Sequence, residues 1–274
     1  MKSKRLATLV AALMGAIAML ATLGSAAQAA TPNPGYGQFA GCPSKAENSE
    51  ISTCLVTKIT GGHFKMGSKD VPIENPMTLS GGTNPSLGNF SFNSKGGLPP
   101  VKQKVPGGVI GLTGLTWLAE FLGIEALTLY AVTELAGTPN VSNPEAVKLP
   151  IKVHLINGVL GNSCYVGSNS NPINLTLITG TTNPPPPNQP ISGKGGTPSF
   201  DFEKEILTSK NGTFVDNSFS APGANGCVLT LFGFIPISIN GLVNSQSGLP
   251  AAAGTNETVQ EFDLEIAPVT RVYP

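Results

Sequence analysis

The chain has 274 residues, with 16 basic side chains balanced by 16 acidic ones, and only 12% of its residues are charged. So sparse and balanced a charge argues against nucleic acid as a partner. The 33 glycines and 24 prolines argue against long helices and for a chain of many turns.

Lys2, Lys4 and Arg5 begin the chain, an apolar run spans Leu6 to Leu23, and Ala27-Gln28-Ala29 supplies a small-x-small motif. This is the pattern of a secretory signal peptide over residues 1–29, cleaved after Ala29. The run is diluted by Ala, Thr and Gly and ends in small residues, which disfavours a retained anchor. The expected product, residues 30–274, is a single secreted β-rich domain of 245 residues, extracellular or associated with the cell envelope. All three basic residues of the leader leave with it, so the remainder carries 13 basic against 16 acidic side chains. That excess of carboxylates disfavours an anionic membrane as partner.

Four cysteines, Cys42, Cys54, Cys164 and Cys227, follow the leader, and an even number in an exported chain reads as two disulfides. Three connectivities are open. The pairing Cys42–Cys54 with Cys164–Cys227 is favoured, because the first two are close in sequence and the second two sit in similar Gly/Asn turns. Closing those loops would contribute about 3 and about 4 kcal/mol. No C-x-x-C spacing occurs, and His63 and His154 are isolated, so a metal site or redox dithiol is not indicated.

Alternation of apolar and polar residues predicts strands at 55–60, 126–135, 147–157, 173–179, 227–232, 235–240 and 259–266. The clearest places Val147, Leu149, Ile151, Val153 and Leu155 on one face and Lys148, Lys152 and His154 on the other. Pro150 within it points to an edge strand or a bulge. Many short strands between turns imply a mainly β fold, an antiparallel β-sandwich or a barrel-like sheet. One short helix is expected near 113–122, with Thr113 as its N-cap and Gly123 beyond its end. The wider stretch 107–132 is apolar, but Glu120 and Glu125 near its middle argue against a membrane span. Residues 180–199, which contain Pro184-Pro185-Pro186-Pro187, form a Pro-rich loop expected to be extended and loosely packed.

Catalytic and cofactor signatures are not apparent. Neither G-x-S-x-G nor S-x-x-K occurs, and the four aspartates, Asp70, Asp201, Asp216 and Asp263, form no calcium-loop spacing. A glycosidase-like pair of carboxylates drawn from Glu120, Glu125 and Glu134 is the remaining route to hydrolysis. The most apolar stretch after the leader, Val228 to Val243, reads as two buried strands around Gly233. It could also line an apolar pocket built from Leu229, Leu231, Phe234, Ile235 and Ile237, or form a membrane-facing hairpin of a pore subunit.

The phrases Gly107-Gly108-Val109-Ile110-Gly111-Leu112-Thr113-Gly114-Leu115 and Leu231-Phe232-Gly233-Phe234-Ile235-Pro236 resemble uncharacterised secreted proteins of actinobacteria. The resemblance implies export and brings no activity or site with it. The leading expectation is therefore a non-enzymatic secreted β-sandwich that acts by surface contact, presenting loops such as 180–199. A lipid or apolar-ligand carrier is the second expectation; a hydrolase or a pore subunit comes after it.

Overall fold

The computed structural model describes residues 30–274 apart from 85, 116–126, 144–145, 159 and 232–234. Its strands in chain order are β1 (Thr53–Met66), β2 (Lys69–Pro72), β3 (Met77–Asn84), β4 (Asn89–Ser91), β5 (Lys102–Lys104), β6 (Tyr130–Leu135), β7 (Asn140–Asn143) and β8 (Ala146–Ile156). They continue as β9 (Tyr165–Val166), β10 (Ile173–Ile178), β11 (Thr197–Asp201), β12 (Ile206–Asp216), β13 (Ala224–Asn225), β14 (Val228–Leu231), β15 (Ile235–Ser238) and β16 (Glu257–Pro268). Among the described residues, a 3-10 turn (Gly37–Phe39) and three α-helical pieces, α1 (Gly108–Thr113), α2 (Asn240–Ser247) and α3 (Val269–Val272), complete it.

Eight strands pair antiparallel in the order β1-β3-β4-β7-β8-β10-β12-β16, and β16 returns to β1. The sheet thus closes into a barrel, the second of the two expected arrangements, rather than stacking as two sheets. Local breaks in pairing let it curve. β1 gains an extra residue between Ile59 and Gly61 and β12 gains residues between Ser209 and Gly212, both opposite β16. Asn211, at the second irregularity, takes a positive φ of 56° and its N–H donates to Asp263 Oδ1 at 3.0 Å. At Gly212 a Cβ would collide with the ring of Phe262, so the missing side chain lets Phe262 lie against the backbone, stacked on Phe214 at 3.9 Å.

The inward face of β8 is the predicted row of Val147, Leu149, Ile151 and Val153, while Lys148, Lys152 and His154 face out. Pro150 does not mark an edge, however, because β8 is paired on both sides, to β10 along one and to β6 and β7 along the other. In an antiparallel strand a residue's N–H and C=O point the same way, and the Pro150 carbonyl accepts from Ala136 N. The position where its N–H would stand therefore falls where β6 ends and β7 has yet to begin.

The helix differs from its expected place. Thr113 ends α1 instead of starting a helix: its hydroxyl donates back to the Val109 carbonyl at 2.8 Å, and Gly114 closes the turn with φ 71°. Gly114 and Leu115 are not helical, and residues 116–122 of the expected helix lie outside the described residues. α1 and α2 pack over the barrel end where β1 turns into β2, with Ser68 N donating to Ser247 O and Lys69 Nζ to Gly111 O.

Both favoured disulfides are present, Cys42–Cys54 and Cys164–Cys227. The first lies in a small core outside the barrel wall, where Tyr36, Phe39, Ile51, Ile206, Val269 and Val272 are all buried. The second joins the β9 region to the start of the β14–β15 ribbon, a two-stranded sheet of its own. Two disulfides and no free cysteine fit an oxidising compartment.

Loop 180–199 is tied down more firmly than its composition suggests. Thr182 is buried, Gly193 N donates to Gly180 O, and Asn188 Nδ2 donates to the carbonyls of Asn217 and Asn256 at 2.9 and 2.7 Å. Asn217 Nδ2 answers by donating to the Gln189 carbonyl at 2.7 Å. Side-chain amides supply the backbone partners that a proline-rich segment cannot find in a sheet.

Candidate functional site

The barrel encloses a cavity of about 610 Å³. Native interiors hold few voids larger than a water molecule, so a space of this size is not a packing defect. It lies within the roughly 300–1,000 Å³ spanned by small-molecule sites.

Strand periodicity builds its wall. β1 contributes Thr53, Leu55, Thr57 and Ile59, and after its bulge the inward parity changes, so Phe64 and Met66 continue the same face. β3 adds Met77, Leu79 and Thr83, β16 adds Gln260, Leu264 and Ile266, and β10 adds Leu175 and Leu177. Polar side chains stand at both ends, and Thr57, Thr133 and Gln260 add others to the wall. Lys69 and Gln103 stand near the helical end, and Gln103 is already satisfied, accepting from Glu74 N and Asn75 N and donating to Asn75 O. At the opposite end are Thr53, Thr83, Ser142 and Asn143, of which Ser142 and Asn143 are exposed, so the wall reaches solvent there. Thr83 is 5% exposed, and its Oγ1 is one of three buried side-chain polar atoms without a hydrogen-bond partner among the described residues.

The outside of the same strands is charged. β16 turns Glu257, Glu261, Asp263 and Glu265 away from the interior, and β8 does the same with Lys148 and Lys152. A membrane-spanning barrel has the reverse arrangement, with an apolar band outside.

Of the residues expected to form an apolar pocket, Leu229, Ile235 and Ile237 are not among the side chains that line the cavity. Leu229 is buried in the main core, while Ile235 and Ile237 are each 42% exposed on the ribbon; Leu231 ends β14, and Phe234 falls outside the described residues. The stretch 228–243 is not a pair of buried strands either, since all four residues of β15 are exposed. The physical reason is pairing: among the described residues β15 bonds to β14 alone, and no second sheet covers its faces.

The two histidines belong to separate clusters on the outer surface. His63 Nε2 lies 3.2 Å from Glu257 Oε1, and its Nδ1 lies 4.0 Å from Asp70 Oδ1. His154 stacks on Tyr165 at 4.2 Å and lies 3.4 Å from Glu134, which also pairs with Lys152 at 3.4 Å. Partial burial and the Glu134 carboxylate together hold the Tyr165 hydroxyl above its ordinary pKa. Glu134 is thus engaged by Lys152 and His154, and Glu120 and Glu125 lie outside the described residues. Among the described residues no three His, Cys, Asp or Glu side chains are grouped to hold a metal ion.

Fold and site together define a closed antiparallel β-barrel with an apolar interior and a charged exterior. No family model, curated protein or solved structure matches the chain.

Proposed function

We propose that the protein is a secreted, disulfide-stapled barrel that binds a predominantly apolar small molecule in its interior. The observation that carries this reading is the 610 Å³ cavity walled by aliphatic, Met and Phe side chains. Apolar burial drives such binding at about 25 cal/mol per Å² of surface removed from water, without requiring a charged partner. The hydroxyl and amide side chains at the solvent-reaching end suit a ligand with one polar group directed outward. Export to an extracellular or envelope location is supported by the basic start, apolar run and Ala27-Gln28-Ala29 motif together with the two disulfides.

Titration with N-phenyl-1-naphthylamine, whose emission rises in apolar surroundings, tests the reading. Saturable one-site binding is expected, and Ala131→Trp, which places an indole in the cavity, should weaken it about tenfold or more while preserving the fold. Unaltered probe binding in Ala131→Trp and likewise in Val147→Trp would place the probe elsewhere and defeat the proposal.

A further inference from the structure

The cavity wall does not stop at the barrel. On the inner face, four paired strands align Phe200 of β11 with Leu207 of β12, Ile266 of β16 and Leu55 of β1 in one lateral row. Leu207, Ile266 and Leu55 belong to the cavity wall. Phe200 continues the row outward on a hairpin whose other side is free, since β11 pairs with β12 alone and every residue of β11 is exposed. At the tip, Phe202 is 84% exposed and packs edge-on against Phe200 at 4.9 Å. The hairpin is firmly held from behind: Tyr36 Oη donates to the Lys204 carbonyl, Arg271 pairs with Glu205, and Ile206 is buried in the outer core. A rigid loop that holds two phenylalanines in water incurs a cost that surface packing elsewhere in the fold does not explain.

We propose that this hairpin docks the barrel on a lipid bilayer and that the apolar ligand passes along the Phe200–Leu207–Ile266 row into the cavity. The inference rests on the apolar-ligand reading, and continuity of the row with the cavity wall selects the partner. A molecule that fits an apolar cavity resides in lipid rather than in water, so the surface leading to the cavity meets lipid first. Phe202 lies between Asp201 and Glu203, both exposed, which selects a zwitterionic bilayer surface over an anionic one. An aromatic ring at a hairpin tip suits the headgroup boundary, being rigid and largely apolar.

The test uses the full chain, phosphatidylcholine vesicles and a pyrene-labelled fatty acid, with Phe202→Asp as the variant; a residue so exposed tolerates the change without loss of fold. Flotation with vesicles reports docking, transfer of the acid from vesicles reports loading, and binding of the acid added as dispersed monomer reports the cavity. Flotation and transfer are expected to fall roughly ten- to a hundredfold in the variant, with monomer binding held within about twofold. Equal flotation and transfer by both proteins, or a wild type that does not float, would overturn the docking. A wild type that floats through Phe202 but binds no monomer upholds the docking and defeats the cavity reading, so the two fail separately.

Discussion

The barrel interior and the small core outside its wall are built from the same kinds of side chain, yet they are packed differently. Around Cys42–Cys54, the outer core buries Phe39, Val269 and Val272 completely and brings segments from both ends of the described chain together. Inside the barrel, apolar side chains from seven of its eight strands, all but β4, face one another across about 610 Å³. Aromatic and aliphatic side chains from segments at both ends of the described chain converge on the disulfide in the first case, whereas the circumference of an eight-stranded barrel keeps opposite walls apart unless bulky residues bridge them. The outer core is closed around its disulfide, and the interior keeps space within the main core.

Substitutions can break this comparison. Phe39→Ala is expected to cost about 3–5 kcal/mol in urea unfolding, because a fully packed ring leaves a void that its neighbours cannot close. Replacing Cys42 and Cys54 together by Ser should cost about 3 kcal/mol, the entropy of a loop spanning 12 residues, read from the same unfolding midpoint. Leu55→Ala in the cavity wall should cost less than about 2 kcal/mol, since much of that side chain faces open space and has fewer contacts to lose. If Leu55→Ala proved as costly as Phe39→Ala, the interior would have to be as tightly packed as the outer core.

The smallest effect concerns Asp216, 3% exposed at the end of β12, which accepts from Thr176 N at 2.6 Å and Ser218 N at 2.8 Å. Burial raises its pKa above the ordinary 3.8, and the two backbone N–H groups only partly oppose that shift. An acid whose folded pKa is raised binds its proton more tightly when folded. Its contribution to stability therefore grows as pH falls through the raised value and levels off below the unfolded one. Asp216→Asn should flatten this rise in a series of unfolding curves taken at descending pH, and an unchanged slope would assign the pH dependence to other groups.

Alternation marked β1, β6, β8, β10 and β16 well, because each shows one apolar and one polar face. β3 escaped it: Met77-Thr78-Leu79-Ser80-Gly81-Gly82-Thr83 has glycines where the strand lies under Phe90 and beside the first disulfide, and so lacks the apolar signal. The cavity escaped it for a different reason. Each strand gives only a few inward residues, and the bulge in β1 moves its inward face from Ile59 to Phe64, so no contiguous stretch announces the pocket. The most apolar stretch, 228–243, suggested a pocket by composition alone and instead carries an exposed ribbon.

The sequence by itself determined the β-rich class, the pairing of the four cysteines and the inward row of β8. These follow from local spacing and residue chemistry, which act over a few neighbouring residues. Only the tertiary structure decided that the sheet closes, that the apolar faces enclose space rather than meet, and that Phe200 joins a row with Leu55. Such outcomes depend on pairing between strands distant in the chain, and no local pattern encodes that register.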